Sequence, residues 1–278
     1  MQRAVIITDL DGTLLDPVTY SFEEALPALD MIRKLGVPLV FCSSKTRAEL
    51  EVYRKRLRNA HPFISENGGG IFIPPGYFSK PVAATEIAGY QVITLGEPYA
   101  DIRRRFARLR EQMQANVRGF ADMSIEEMRG LTGLTQEEAV LAQQRDFEEP
   151  FVFEGAEDQR FLQAIEAAGL CWTQGRMFHI MGRHDKGRAA SMLLDIYRQQ
   201  YGSVVSMGLG DGLNDLPLLE AVDRPVLVRH EDGSFDARIV VAGLVKTKAP
   251  GPAGWNEAVQ RWLSDSYEAD HCRENYRA

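Results

Sequence analysis

Cysteine is scarce in this chain. The three residues present among 278, Cys42, Cys171 and Cys272, are odd in number, widely separated and never arranged as Cys-x-x-Cys. That argues against a disulfide framework and against a zinc site. Long apolar runs are also missing: the first, Met1 to Ile7, is broken by Asp9 and Asp11 well short of a signal-peptide core or a membrane span. A cytoplasmic protein without a membrane partner is expected. Nor is there an excess of positive charge, since 32 Lys and Arg against 39 Asp and Glu leave a formal charge of -7. No global field therefore favours nucleic acid, although a local basic pocket remains open. Repeats and low-complexity tracts are absent, as is any Gly-x-x-x-x-Gly-Lys-Ser/Thr stretch, so a P-loop kinase or NTPase is not supported.

What is present is length and alternation. A chain of 278 residues, 45% hydrophobic and 26% charged, exceeds the usual compact domain, and two domains or one with a large insertion are expected. Arg3 to Leu10 is a β-branched apolar run ending in Asp-Gly-Thr, the pattern of a buried parallel strand. An amphipathic stretch from Phe22 to Leu35 stops at Gly36, and Val37 to Cys42 supplies a second strand ending in Ser43-Ser44-Lys45-Thr46. A charged helix over Arg47 to Asn59 precedes strand Phe63 to Ser65 and the polar loop Glu66-Asn67-Gly68-Gly69-Gly70.

The alternation returns later, with helix Lys186 to Tyr201, strand Ser203 to Leu209, loop Gly210 to Asp215, helix Leu216 to Ala221 and strand Pro225 to Val228. Both flanks thus belong to one doubly wound, Rossmann-like α/β sheet, residues 1–85 and 182–278. Between them, residues 86–181 read as an inserted α+β module: strand Tyr90 to Leu95, a basic helix Tyr99 to Gln114, and helices opening on the capping boxes Ser124-x-x-Glu127 and Thr135-x-x-Glu138. Strand Phe151 to Phe153, helix Asp158 to Ala168 and a hairpin of Cys171–Thr173 with Phe178–Met181 complete it. Arg103, Arg104, Arg105, Arg108 and Arg110 read as a solvated face with acidic partners.

Residues two apart on a strand point the same way, so Asp9 and Asp11 face one pocket, and Gly12 lets the chain turn around it. Paired carboxylates repel unless a cation lies between them, and Asp211 and Asp215, at the end of another strand, are placed to complete the shell of a hard divalent ion. Magnesium suits phosphoryl transfer better than calcium does, and the glycines are wrongly spaced for a calcium loop.

Asp9-Leu-Asp11-Gly-Thr-Leu and Gly210-Asp-Gly-Leu-Asn-Asp215, with Ser43 and Lys186 between, resemble the four motifs of the haloacid dehalogenase-like phosphatases. The resemblance implies that Asp9 is a nucleophile forming an aspartyl-phosphate and that Asp11 protonates the leaving alcohol and then activates water. It implies that Ser43 binds the phosphoryl oxygens, that Lys186 offsets their charge, and that Asp9, the Asp11 carbonyl and Asp211 hold Mg2+. Asp215 would support or join that set.

The insert lies where the large-cap subgroup carries it, and the chain most resembles the mannosyl-3-phosphoglycerate phosphatases. The stretches that carry this likeness are Cys42 to Glu49, Ser65 to Gly69, Arg145 to Phe151, Gly175 to His179 with Asp185-Lys186-Gly187, and Gly254-Trp255-Asn256-Glu257. One departure is Glu148, where Arg-x-x-Ser-Glu-Pro-Phe would have serine. A small sugar phosphate is the expected partner of a monomer or weak homodimer. Its contacts are expected from Ser44, Glu66, Asn67, Arg145, Arg176, His179 and Asn214, an arginine being favoured for a carboxylate because its planar fork matches two oxygens. Phosphatases of other sugar phosphates, a phosphomutase and a non-catalytic phosphosugar sensor are the competing readings.

Overall fold

The computed structural model describes residues 3–275, with side chains described through Asp265. The side chain of Cys272 lies outside these, while Cys42 and Cys171 are free thiols.

The run at the N-terminus becomes β1 (Arg3–Thr8), an interior strand of a nine-stranded sheet. Its alternate side chains serve two cores. Ile6 packs with α1 (Leu26–Leu35), α2 (Arg47–Arg56) and the C-terminal helix α9 (Gly251–Asn275), whereas Val5 and Ile7 pack with α7 (Lys186–Tyr201) and α8 (Leu216–Ala221). Burial on both faces is why the strand carries no polar alternation. The remaining strands of this sheet are β2 (Leu39–Cys42), β3 (Phe63–Ser65), β4 (Gly70–Ile73), β5 (Thr85–Ile87), β6 (Tyr90–Thr94), β11 (Val204–Gly210), β12 (Arg224–Arg229) and β13 (Val245–Pro250). Their order is β13-β12-β11-β1-β2-β3-β4-β6-β5, parallel from β13 to β3 and antiparallel beyond. This is the doubly wound α/β core expected from the sequence.

A second, four-stranded antiparallel sheet has the order β7-β8-β10-β9, from Val117–Gly119, Glu148–Phe153, Phe178–Met181 and Cys171–Gln174 respectively. Phe151, Phe178 and Ile180 on one face pack against Ile102 and Phe106 of α3 (Tyr99–Met113) and Phe161, Leu162 and Ile165 of α6 (Gln159–Ala167). Two short helices, α4 (Ile125–Thr132) and α5 (Gln136–Ala142), begin at the expected capping boxes on Ser124 and Thr135.

Two expectations need correction. Strand Tyr90–Thr94 belongs to the large sheet, antiparallel to β4, so the divide between the two sheets does not fall at residue 86. The error arises because β4 lies next to a glycine-rich loop and reads as its continuation, although Ile71, Phe72 and Ile73 are buried and supply the edge that β6 extends. The strand expected at Phe151–Phe153 begins earlier, at Glu148, because its first two acids are buried and paired rather than solvated. Glu149 turns toward the helices and accepts from Tyr99, Arg103 and the Ala121 N–H. Glu148 turns the other way, toward the large sheet. The basic face of α3 does meet acids, Arg103 and Arg110 at Asp122, Arg104 at Asp101 and Arg105 at Glu97.

Candidate active site

The carboxyl ends of β1, β2 and β11 converge, and each ends in polar loops. Asp9 still donates its N–H to Leu209 of β11 at 2.9 Å, so the sheet holds its backbone. The chain then turns at Gly12, whose φ of 76° suits glycine and where a Cβ would meet Asp211 Oδ2 at 2.6 Å. Beneath the turn, Trp255 Nε1 donates to Thr8 Oγ1 at 2.9 Å, Asn256 accepts from the Ala28 N–H, and Glu257 accepts from the Lys248 and Ala249 N–H groups. The stretch Gly254 to Glu257 is therefore a structural brace from α9.

Lys186 enters at the first turn of α7 and is fully buried. Its Nζ lies 2.6 Å from Asp9 Oδ1 and 2.6 Å from Asp215 Oδ1. Asp215 Oδ2 accepts the N–H groups of Asp211 and Gly212 at 3.0 and 3.1 Å. Asp211 Oδ1 accepts from Thr13 Oγ1 at 2.8 Å, and its carbonyl accepts from His230 Nε2 at 2.9 Å. Asp9, Asp211 and Asp215 each offer an oxygen within 4.8 Å of the others.

Three carboxylates against one lysine leave this cluster electron-rich. Burial, followed in opposition by Lys186 and then by the neighbouring acids, holds the Asp9 carboxyl well above the usual range. Burial and then Asp215 push Asp211 up to about 7. The Lys186 ammonium is raised because two carboxylates outweigh its burial. A hard divalent cation fits this donor set, which is all oxygen and contains no histidine nitrogen or thiolate.

Asp11 points elsewhere. Its Oδ2 lies 2.9 Å from Nζ of Lys45, which is itself 3.7 Å from Glu49 Oε1 and sits over the rings of Tyr20 and Tyr53, while Asp11 Oδ1 is buried without a hydrogen-bond partner. Ser43 is buried beside this pair, its Oγ accepting the Lys45 N–H at 3.3 Å.

Two spaces open from here. A cleft of about 490 Å³ is lined by Asp9, Asp11, Ser44, Arg176, Asp211 and Asn214, and also by Gln174, His230, Asp236 and Arg238. A recess of about 50 Å³ shares Asp11, Ser44 and Arg176 with it, and adds Lys45, Arg145 and His179. The expected contacts thus divide. Ser44, Arg176 and Asn214 line the cleft, and Arg145 and His179 line only the recess.

Glu66 and Asn67 line neither. Both are buried with left-handed backbone, φ 46° and 51°. This turn aims the Glu66 carboxylate at the chain entering β8, where it accepts the N–H groups of Asp146, Phe147 and Glu148 at 2.8 to 3.0 Å. Burial raises its pKa to about 8. Asn67 donates to Glu148 Oε2 at 2.8 Å and accepts from Asn214 at 3.1 Å.

Glu148, standing where serine was expected, collects three partners. Besides Asn67, Arg145 donates to its Oε1 at 3.0 Å, and His179 Nδ1 lies 2.9 Å from that oxygen, out of line for a hydrogen bond. Arg145 also donates to the Ser44 carbonyl at 2.7 Å. Arg176, by contrast, meets only Tyr20 Oη at 2.9 Å and the Pro17 carbonyl at 3.5 Å, and has no carboxylate partner among the described residues.

Residues 6–97 match the haloacid dehalogenase-like hydrolase family. A protein from Methanococcoides burtonii, a glucosyl-3-phosphoglycerate/mannosyl-3-phosphoglycerate phosphatase, is 47% identical over 261 residues, covering 92% of this chain and 96% of that one. The chain belongs to this phosphatase family. A second member, from Persephonella marina, is 40% identical and covers 94% of this chain and 97% of its own. Among solved structures, a phosphatase of the haloalkanoate (HAD) enzyme superfamily from Bacteroides thetaiotaomicron shares the fold with a TM-score of 0.65 at 20% identity, covering 94% of this chain and 95% of that one. As a phosphatase of this family, the chain is a phosphoric monoester hydrolase. Among the described residues, no helix is long and apolar enough to cross a membrane.

Motif reasoning passed over Lys45, Thr13, His230, Gln174, Asp236 and Arg238. Lys45 sits inside a quoted motif, yet nothing in its spacing marks it as buried. Asp236 and Arg238 lie in a loop without periodicity, where opposite charges two apart read as surface.

Proposed function

We propose that this enzyme hydrolyses mannosyl-3-phosphoglycerate, and its glucosyl counterpart, to the glycosylglycerate and phosphate. The observation that carries this reading is Lys186, fully buried between Asp9 and Asp215, with Asp9 lining the cleft, in a chain 47% identical to a phosphatase of those esters. Asp9 attacks phosphorus as its bond to the ester oxygen breaks, and Asp11 gives that oxygen its proton. Asp11 then takes a proton from water as the water oxygen displaces Asp9 from phosphorus, freeing phosphate. To do so Asp11 must turn from Lys45. Ser43 and Lys186 meet the negative charge on the phosphoryl oxygens.

Mg2+ is the cofactor in this proposal, held by Asp9, the Asp11 carbonyl and Asp211. When bound it supplies positive charge against the carboxylates and the phosphate. Asp215, with both oxygens already engaged by Lys186 and by N–H groups, orients that set rather than joining it.

The four-stranded sheet with its helices acts as the cap that covers the substrate. Arg145 is occupied by Glu148 and the Ser44 carbonyl, so the glycerate carboxylate falls to Arg176. Phosphate release from a panel of glycosyl-3-phosphoglycerates, sucrose 6-phosphate and hexose phosphates, with Mg2+ present, tests the assignment. A preference for a substrate without glycerate would overturn it.

A further inference from the structure

The 490 Å³ cleft is also lined by polar groups that the phosphate chemistry does not use. Two come from the loop between β12 and β13 in the large sheet. Asp236 and Arg238 form a two-point ion pair, Nε to Oδ1 at 2.9 Å and Nη2 to Oδ2 at 2.7 Å. The third comes from the opposite wall, at the end of β9. Arg238 Nη1 donates to Gln174 Oε1 at 2.8 Å, the contact by which this loop reaches the small sheet.

We propose that Gln174, Asp236 and Arg238 form the subsite for the hexose ring of the substrate. This rests on the reading of the enzyme as a glycosyl-3-phosphoglycerate phosphatase.

Charge is the first reason. Among the described residues Arg176 has no carboxylate partner and suits an anion, whereas Arg238 is matched by Asp236 and presents a neutral pair. A planar guanidinium, a carboxylate and a primary amide offer paired donors and acceptors at the spacing of adjacent hydroxyls, without drawing a second anion.

Size is the second. The recess beside Lys45 and Arg145 has only about 50 Å³, too little for a hexose, while the cleft is large enough for phosphate and sugar together. Position is the third. Among the described residues the trio lines the same cleft as Asp9 and Asp211 but is hydrogen-bonded to neither, as a group carried on the leaving alcohol rather than on phosphorus requires.

Because the trio spans both walls, a sugar bound there would also tie the small sheet to the large one. This device is legible only in three dimensions, since Gln174 and Arg238 are 64 residues apart.

The test compares kcat/KM for mannosyl-3-phosphoglycerate with that for 3-phosphoglycerate, which has the same phosphate and carboxylate but no hexose. Wild-type enzyme is expected to favour the glycosylated ester. Arg238→Met, at a half-exposed side chain, is expected to cut that preference by about 10- to 100-fold, the loss of one or two hydrogen bonds from a charged group. Gln174→Ala, which leaves the Asp236–Arg238 pair intact, is expected to cut it in the same direction. An unchanged preference in both variants, with rates on the two esters falling together or not at all, would overturn the subsite while leaving the substrate assignment standing. A wild-type enzyme without preference for the glycosylated ester would overturn both.

Discussion

Lys45 Nζ lies 2.9 Å from Asp11 Oδ2, so a buried cation holds the carboxylate proposed to act on the leaving group away from Asp9. Asp11 and Glu49 together outweigh the burial of Lys45 and raise its pKa. Lys45→Met leaves Glu49 buried without its neighbouring cation. A destabilisation of about 3–5 kcal/mol is expected, the usual cost of breaking one side of a buried pair. Denaturant unfolding of Lys45→Met, Asp11→Asn and the double variant measures the coupling, expected on the order of 1–3 kcal/mol. A coupling near zero would show that the contact does not hold Asp11.

Asp9→Asn trades activity against stability. Burial disfavours the Asp9 charge, so the metal-free variant is expected to melt no lower than wild type. Turnover should fall by about 10⁴-fold or more, as for loss of a nucleophile. Calorimetry without added metal and a phosphate-release assay read the two effects separately.

Lys186→Met removes the one lysine from a cluster of three carboxylates. Without divalent metal it should be less stable than wild type by roughly 3–5 kcal/mol. Mg2+ is expected to restore part of that loss and to raise the melting temperature of the variant more than that of wild type, because binding to the native state alone stabilises it. Equal Mg2+ shifts in the two proteins would count against a metal among these carboxylates.

Glu66→Ala releases the three N–H groups at Asp146, Phe147 and Glu148. Amide exchange at those positions should accelerate, and stability should drop by about 2–4 kcal/mol, since buried donors are left unpaired. Glu66→Gln keeps one acceptor and should fall between.

His61 provides a pH signature. Burial, then Arg54, lowers its pKa from 6.5 to about 4, with Nδ1 2.7 Å from the Tyr77 hydroxyl. The unfolded chain therefore binds a proton that the native state refuses, and stability contributed above pH 6.5 is lost as the pH falls toward 4. His61→Gln should flatten that part of a melting-temperature profile, and an unchanged profile would show that His61 is not its source.

Much of the large sheet was readable because parallel strands buried on two faces appear as unbroken apolar runs, as at Val5 to Ile7 and Leu39 to Cys42. Asp9, Asp11, Ser43 and Asp211 could be grouped from sequence because each directly follows an apolar strand of the large sheet. What escaped was polarity in unexpected places. Glu66, Glu148 and Glu149 are buried acids satisfied by groups about 80 residues away or on a neighbouring helix, and no local pattern distinguishes them from solvated ones. The loop carrying Asp236 and Arg238 was equally silent, since Arg238 meets Gln174, 64 residues earlier in the chain.

The interior strand β1 takes β2 as one neighbour and β11 as the other. During synthesis the first neighbour follows within about forty residues, but the second, with Lys186, Asp211 and Asp215, follows only after residue 185. A ribosome-bound chain that has emitted everything through the small sheet therefore displays Asp9 without the lysine that sits against it. The edge of β1 that pairs with β11 is also still open. Asp9 thus acquires its setting in the last third of translation, together with the closure of the sheet.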